Sequence, residues 1–174
     1  MADAKQGGPP GPPPGPDPKE IQGGYHGKVL RVNLTEGKTS VEDIDGVFCR
    51  KYLGGSGFIT YYLLKELKKG IDPLGPDNKM VFAPGPLTGT PVIGAGRNGV
   101  GAKSPQSGGI ALSEAGEFWG AEFKHTGFDA LIVEGKAAKP VYLFIKDGQA
   151  EIKDASKLWG KNTINKDPSD ASFN

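Results

Sequence analysis

The sequence predicts an α+β fold made of two related β-hairpin/helix halves, the second of them incomplete. Three observations carry that prediction. Lys28–Ile44 and Val141–Lys153 each alternate apolar and polar residues on both sides of a tight turn, as paired, half-buried strands do. Phe58–Leu67 (FITYYLLKEL) sets apolar residues at helical spacing. Ala83–Trp119 holds too much glycine for a helix, yet its aliphatic residues recur singly among small ones, which suits short strands with tight bends.

Taken in order, Met1–Gly24 offers almost nothing to bury and is expected to be a disordered leader with polyproline character over Pro9–Pro18. A proline-recognition tail is the sharper alternative. Lys28–Leu34 and Lys38–Ile44 form a hairpin around Thr35–Gly37. Asp45 is placed to cap a short helix over Val47–Leu53. Gly54, Gly55 and Gly57 then interrupt the chain before the main helix, Phe58–Leu67, which closes on Lys68, Lys69 and Gly70. Phe58, Tyr61 and Tyr62 read as core, and so does Cys49 on the apolar side of the short helix. Ile71–Asn78 is a loop by its prolines, and Lys79–Ala83 a buried strand.

Beyond the glycine-rich stretch, Ala115–His125 predicts a short helix with Phe118, Trp119 and Phe123 inward, ended by Gly127. Asp129–Val133 is a strand. Val141–Ile145 and Ala150–Lys153 pair around Asp147–Gly148, a strong turn signal. Asp154 or Ser156 caps a helical turn through Trp159. Ile164–Asn174 is polar and expected to be unstructured. The second hairpin echoes the first, since each ends in acid and is followed by a short apolar run and glycine, as an internal repeat would.

The 174 residues suffice for one domain with a real core. A net charge of +1 gives no pull toward nucleic acid or an anionic membrane. No apolar run is long enough to span a bilayer and no signal-peptide pattern opens the chain, so a soluble cytoplasmic protein is expected. The single cysteine excludes an internal disulfide framework and a self-contained iron–sulfur site. The two histidines, His26 and His125, suggest no local metal motif.

Chemistry concentrates in Ala83–Trp119. Glycines at 85, 89, 94, 96, 99, 101, 108, 109 and 116 surround one central cation, Arg97. Glycine in strands marks close approach to the backbone, so the stretch reads as a bed of amides plus one arginine for a large phosphate-bearing ligand. A tightly turned sheet that binds nothing accounts for the glycines as well. Nothing acidic is near Arg97 in sequence, which leaves no obvious internal partner for it. Glu122 with His125 reads as helix surface, and Lys103 with Ser104 as a turn before Pro105. Pro84–Gly89 is no Walker loop, because no Gly-Lys-Ser/Thr follows.

Several runs resemble the N-terminal domain of the tungsten-containing aldehyde ferredoxin oxidoreductases: GKVLRVNLTEGK, KYLGGSG, DPLGPDNKMVFAPGPLTGTPV, GAGRNGVGAKSP and EAGEFWGAEFKHTGFDALIVEGK. The likeness covers Tyr25–Thr163, flanked by the leader and the polar end. It implies a domain of two related halves that cradles a tungsten bis-pterin (tungstopterin) cofactor with magnesium. It also implies that Arg97 contacts the pterin, that the Glu114 backbone carbonyl lies near magnesium, and that Gly116 packs its backbone on the cofactor. The expected cofactor-binding set is Gly94, Gly96, Arg97, Gly108, Gly109, Glu114, Ala115 and Gly116, with no catalytic residue in this chain. The implied reaction is oxidation of an aldehyde to a carboxylic acid, with electrons passing through a [4Fe-4S] cluster to ferredoxin. Partners are then the remaining domains of the parent enzyme and ferredoxin or an electron-transfer subunit, with room for a homo-oligomer. Well-known members have asparagine in place of Glu114, and many have arginine in place of Ser56. The cluster cysteines and catalytic residues of the family lie in later domains, so the chain alone is expected to be inactive. The alternative is an accessory remnant that binds no cofactor.

Overall fold

The computed structural model describes residues 17–161. Six strands form one sheet: β1 (Lys28–Asn33), β2 (Lys38–Asp43), β3 (Lys79–Pro84), β4 (Asn98–Lys103), β5 (Ile110–Ala115) and β6 (Ala130–Glu134). Their order is β2-β1-β6-β3-β4-β5. Only the β1–β6 pairing is parallel. The return strand β6 thus enters between the first hairpin and the glycine-rich strands, where it joins the two parts of the sheet. A separate hairpin, β7 (Val141–Lys146) with β8 (Gln149–Asp154), makes a second, two-stranded sheet. Asp147 and Gly148 at its turn have φ of 49° and 76°, the left-handed pair that two-residue hairpins need.

Strand alternation sorts the core onto two faces. Val29, Val81, Ala83, Ala130 and Ile132 face the helices α1 (Gly46–Tyr52) and α2 (Ser56–Glu66), where Phe58, Ile59, Tyr62 and Leu63 are buried with Cys49. Leu30, Val32 and Leu131 face the other way, against Phe128, Phe123 of α3 (Phe118–His125) and the apolar residues of β7–β8. Asp45 caps α1 by accepting from the Phe48 N–H, as its position predicts. Leu53, Gly54 and Gly55 then take successive positive φ of 62°, 103° and 50°. That bend brings the Gly55 N–H to the Pro84 carbonyl at 3.1 Å and sets the start of α2 beside the end of β3.

Two expectations change. Residues 17–24 are held in place, whereas the leader was expected to be disordered through Gly24. Ile21 packs on the first core, the Gly46 N–H donates to the Lys19 carbonyl, and Arg50 donates to Pro18 O. The one apolar residue in that run, together with backbone bonds to α1, outweighs its polar composition. Residues 1–16 and the expected unstructured end, 164–174, lie outside the described residues. Of the three aromatics expected inward on α3, only Phe123 is buried. Trp119 is 45% exposed and Phe118 79% exposed. At 3.6 residues per turn Trp119 shares a face with Phe123, four residues on, while Phe118 is turned about 140° from it. Trp119 still stacks on Phe123 and reaches Phe82, with ring centroids 5.2 and 5.4 Å away.

Candidate functional site

The glycine-rich stretch folds as a loop after β3 and the β4–β5 hairpin. Thr88, which is buried, ties the loop closed: its Oγ1 accepts from the Gly85 N–H at 2.9 Å and donates to the Arg97 carbonyl at 2.9 Å. At Gly89 (φ 86°) the loop meets α3, where the carbonyl lies 3.1 Å from His125 Nε2. A side chain at Gly89 would run against that imidazole. His125 thus serves as a clip for the loop.

Arg97 stands at the start of β4 with its side chain 71% exposed. Gly99 and Glu114 are directly opposite across β4–β5. A Cβ on Gly99 would point at Ile59 of α2, so Glu114 projects on that same face. There Arg97 Nη1 lies 3.4 Å from Glu114 Oε2. The expectation of no internal partner for Arg97 is corrected: strand pairing supplies a carboxylate that lies far off in sequence. Glu114, Ala115 and Gly116 at the end of β5 and Gly96 before β4 all gather at this end of the sheet. Gly96 lies against the Glu117 backbone, where α3 begins. Gly94 (φ 83°) is on the same loop, three residues before Arg97.

Gly108 and Gly109 are not brought there. They lie in the turn where Ser104 N–H donates to Gly109 O, at the opposite end of six-residue strands, some ~17–20 Å away at strand rise. The glycines also divide by what approaches them. At Gly99 and Gly101 it is α2: a Cβ on Gly99 would stand 2.9 Å from Ile59 Cδ1, and one on Gly101 would collide with Ile59 Cγ2. These two serve helix packing. A Cβ on Gly94 or Gly116 would meet nothing within 4 Å.

Asn98, next to Arg97, escapes the sequence reading. It faces away from α2, is 7% exposed, and its Oδ1 has no hydrogen-bond partner. A Cβ on Gly120, in the first turn of α3, would stand 3.0 Å from that oxygen. A single asparagine after an arginine carries no signal that would have marked it. On the strands and loops that lead to the site, Leu87, Val92, Ile93, Leu112 and Phe118 are all at least half exposed.

Arg31 and Lys79 are spent on structure. Arg31 pairs with Glu42 at 2.6 Å and Glu66 at 2.5 Å, and Lys79 pairs with Glu66 at 3.3 Å and also with Glu134. Glu66, Lys79 and Glu134 border a cavity of about 450 Å³ that also takes in Asn33, Thr35 and Asp77, at the far end of the sheet. The Cys49 thiol is pushed up to about 11, by burial first and then by the Asp129 charge, which suits an inert core residue. Among the described residues no group of three or more His, Cys, Asp or Glu is placed to hold a metal ion. No helix among them is long and apolar enough to cross a membrane.

Residues 29–168 match the family model described as aldehyde ferredoxin oxidoreductase, N-terminal domain. A tungsten-containing aldehyde ferredoxin oxidoreductase of Pyrococcus abyssi is 53% identical over 138 residues, which are 79% of this chain and 23% of that protein. The aliphatic sulfonate oxidoreductase, WOR-like subunit, of Pyrococcus furiosus is 40% identical over 143 residues, 80% of this chain and 23% of that protein. Among solved structures, the BamBC active site complex of benzoyl coenzyme A reductase with 1,5-dienoyl-CoA superposes with a TM-score of 0.79 at 38% identity, covering 83% of this chain and 22% of that one. The chain spans about a quarter of the length of these relatives.

Proposed function

The chain belongs to the aldehyde ferredoxin oxidoreductase family through its N-terminal domain, and on that premise we propose that the Arg97 end of its sheet is the bed for a tungsten bis-pterin cofactor with magnesium. One observation supports this above the rest: an exposed guanidinium sits near glycines, Gly94 and Gly116, whose missing side chains leave space that no described residue fills within 4 Å. A flat, phosphate-bearing group can lie on such a surface, and a methyl group on either glycine would intrude on it.

In this reading Arg97 donates two parallel hydrogen bonds to a pterin or phosphate oxygen, which a planar guanidinium does with fixed geometry. Gly94, Gly96, Ala115 and Gly116 supply backbone surface. The Glu114 carbonyl turns toward magnesium, a cation that prefers oxygen ligands. When bound, the cofactor supplies the two-electron chemistry that takes an aldehyde to a carboxylic acid, with a [4Fe-4S] cluster and ferredoxin as the electron path. One cysteine cannot hold such a cluster, so the cluster ligands belong to the rest of the enzyme. The exposed apolar residues on the strands and loops that lead to Arg97 are the surface those domains cover.

Arg97→Ala in the whole enzyme tests this. Tungsten content and aldehyde oxidation should fall together while the circular dichroism spectrum and melting temperature hold, since the side chain is exposed. Full tungsten content in the variant would remove Arg97 from the site.

A further inference from the structure

We propose that the Glu114 carboxylate is an internal occupant of the Arg97 site, a latch that holds the guanidinium and that an incoming oxyanion must displace. The proposal rests on the reading of Arg97 as an oxyanion contact and adds how access to it is governed.

The geometry favours a displaceable contact. Arg97 and Glu114 meet through one nitrogen and one oxygen at 3.4 Å, half of the two-pronged contact a guanidinium can make. The side chains are 71% and 61% exposed, and exposed ion pairs are weakly held. Glu114 reaches Arg97 because the residue opposite it is Gly99, which puts no side chain between them. Its backbone stays opposite Gly99 because β5 pairs with β4 along its whole length.

Charge at this end of the sheet points the same way. The Glu117 backbone lies against Gly96, so a second acidic residue follows Glu114 on the chain leaving β5. The other cation of the stretch, Lys103, is turned to the Ile71 carbonyl at the opposite end of β4. At the guanidinium an arriving anion therefore meets one positive group already faced by one negative group. A simple monoanion gains little by replacing Glu114. A polyphosphate, or an anion that brings its own cation, gains enough.

The test uses the full 174-residue chain, with inorganic pyrophosphate as probe in magnesium-free buffer, followed by titration calorimetry. Glu114→Gln should bind at least about three- to sixfold more tightly than wild type, the size expected for removing one charge some 4–6 Å from a single phosphoryl charge in water. Glu36→Gln, which removes the same charge at the far end of the sheet, should match wild type within about twofold, being beyond a Debye length. Arg97→Ala should abolish saturable binding with or without Glu114→Gln. If Glu114→Gln binds no better than wild type while Arg97→Ala still abolishes binding, the latch is wrong and the oxyanion reading stands. If Arg97→Ala binds as wild type does, or if no variant binds, the oxyanion reading fails and the latch with it.

Discussion

Gly101 on β4 lies directly beneath Ile59 of α2. A Cβ at Gly101 would collide with Ile59 Cγ2 and stand 2.8 Å from Leu112 Cδ2, so the glycine is what lets the helix seat on the sheet. Gly116, at the end of the neighbouring strand, has nothing within 4 Å of the same virtual atom. Identical residues fifteen positions apart therefore answer to different demands, one to packing and the other to an open surface.

Alanine separates the two. Gly101→Ala should lower stability by about 1–3 kcal/mol, the cost of overpacking a core contact. Gly116→Ala should change it by no more than about 0.5 kcal/mol, yet lower tungsten content in the whole enzyme. Urea unfolding and metal analysis of both variants check this. Equal stability losses would erase the distinction.

Lys124 and Asp129 form a buried ion pair, their side chains 6% and 1% exposed. Asp129 also accepts from the backbone N–H groups of His26 and Gly27 at 2.9 and 2.7 Å, which joins the start of β6 to the approach to β1. Lys124→Met leaves that carboxylate buried without its cation, a change that costs about 3–5 kcal/mol in such pairs. Chemical denaturation should show it, and a loss under about 1 kcal/mol would mean that the backbone donors suffice.

Glu66 predicts an acid limit to stability. Burial works to raise its carboxyl, but the Arg31 hydrogen bond and charge, followed by those of Lys79, outweigh it and hold the group below its ordinary 4.5. A carboxyl depressed on folding contributes stability above its unfolded value and loses it as pH falls through the folded one. Thermal melts should therefore drop as pH falls below about 4.5, and Glu66→Gln should flatten that slope while lowering stability at neutral pH. An unchanged acid slope in the variant assigns the effect elsewhere.

Residues 17–24 give a third contrast. Gly46→Ala would drive a methyl into the Glu20 carbonyl and to 2.9 Å from Pro18 O, and Ile21→Ala would open the first core. Each should lower the melting temperature, by about 2–4 °C per kcal/mol in a domain of this order of size. Melting temperatures matching wild type in both variants would show that this run contributes nothing.

Local pattern made most of the elements legible. The hairpin at Lys28–Asp43, the cap at Asp45, the helix expected over Phe58–Leu67 and found at Ser56–Glu66, and the Asp147–Gly148 turn each follow from residues close together in sequence, where alternation, capping oxygens and positive φ act over a few positions. Arg97 stood out as the central cation among the glycines, and the resemblance over Tyr25–Thr163 pointed to the family. Only tertiary structure decided that β6 would enter the sheet between β1 and β3, that the Gly99 and Gly101 backbones would be covered by α2, and that Glu114 would reach Arg97. It also separated Gly108 and Gly109 from that end and left Asn98 Oδ1 buried without a partner. The physical reason is common to all of these: strand register and helix seating are set by contacts between segments tens of residues apart, and a glycine reads the same whether a helix, a ligand or solvent lies above it.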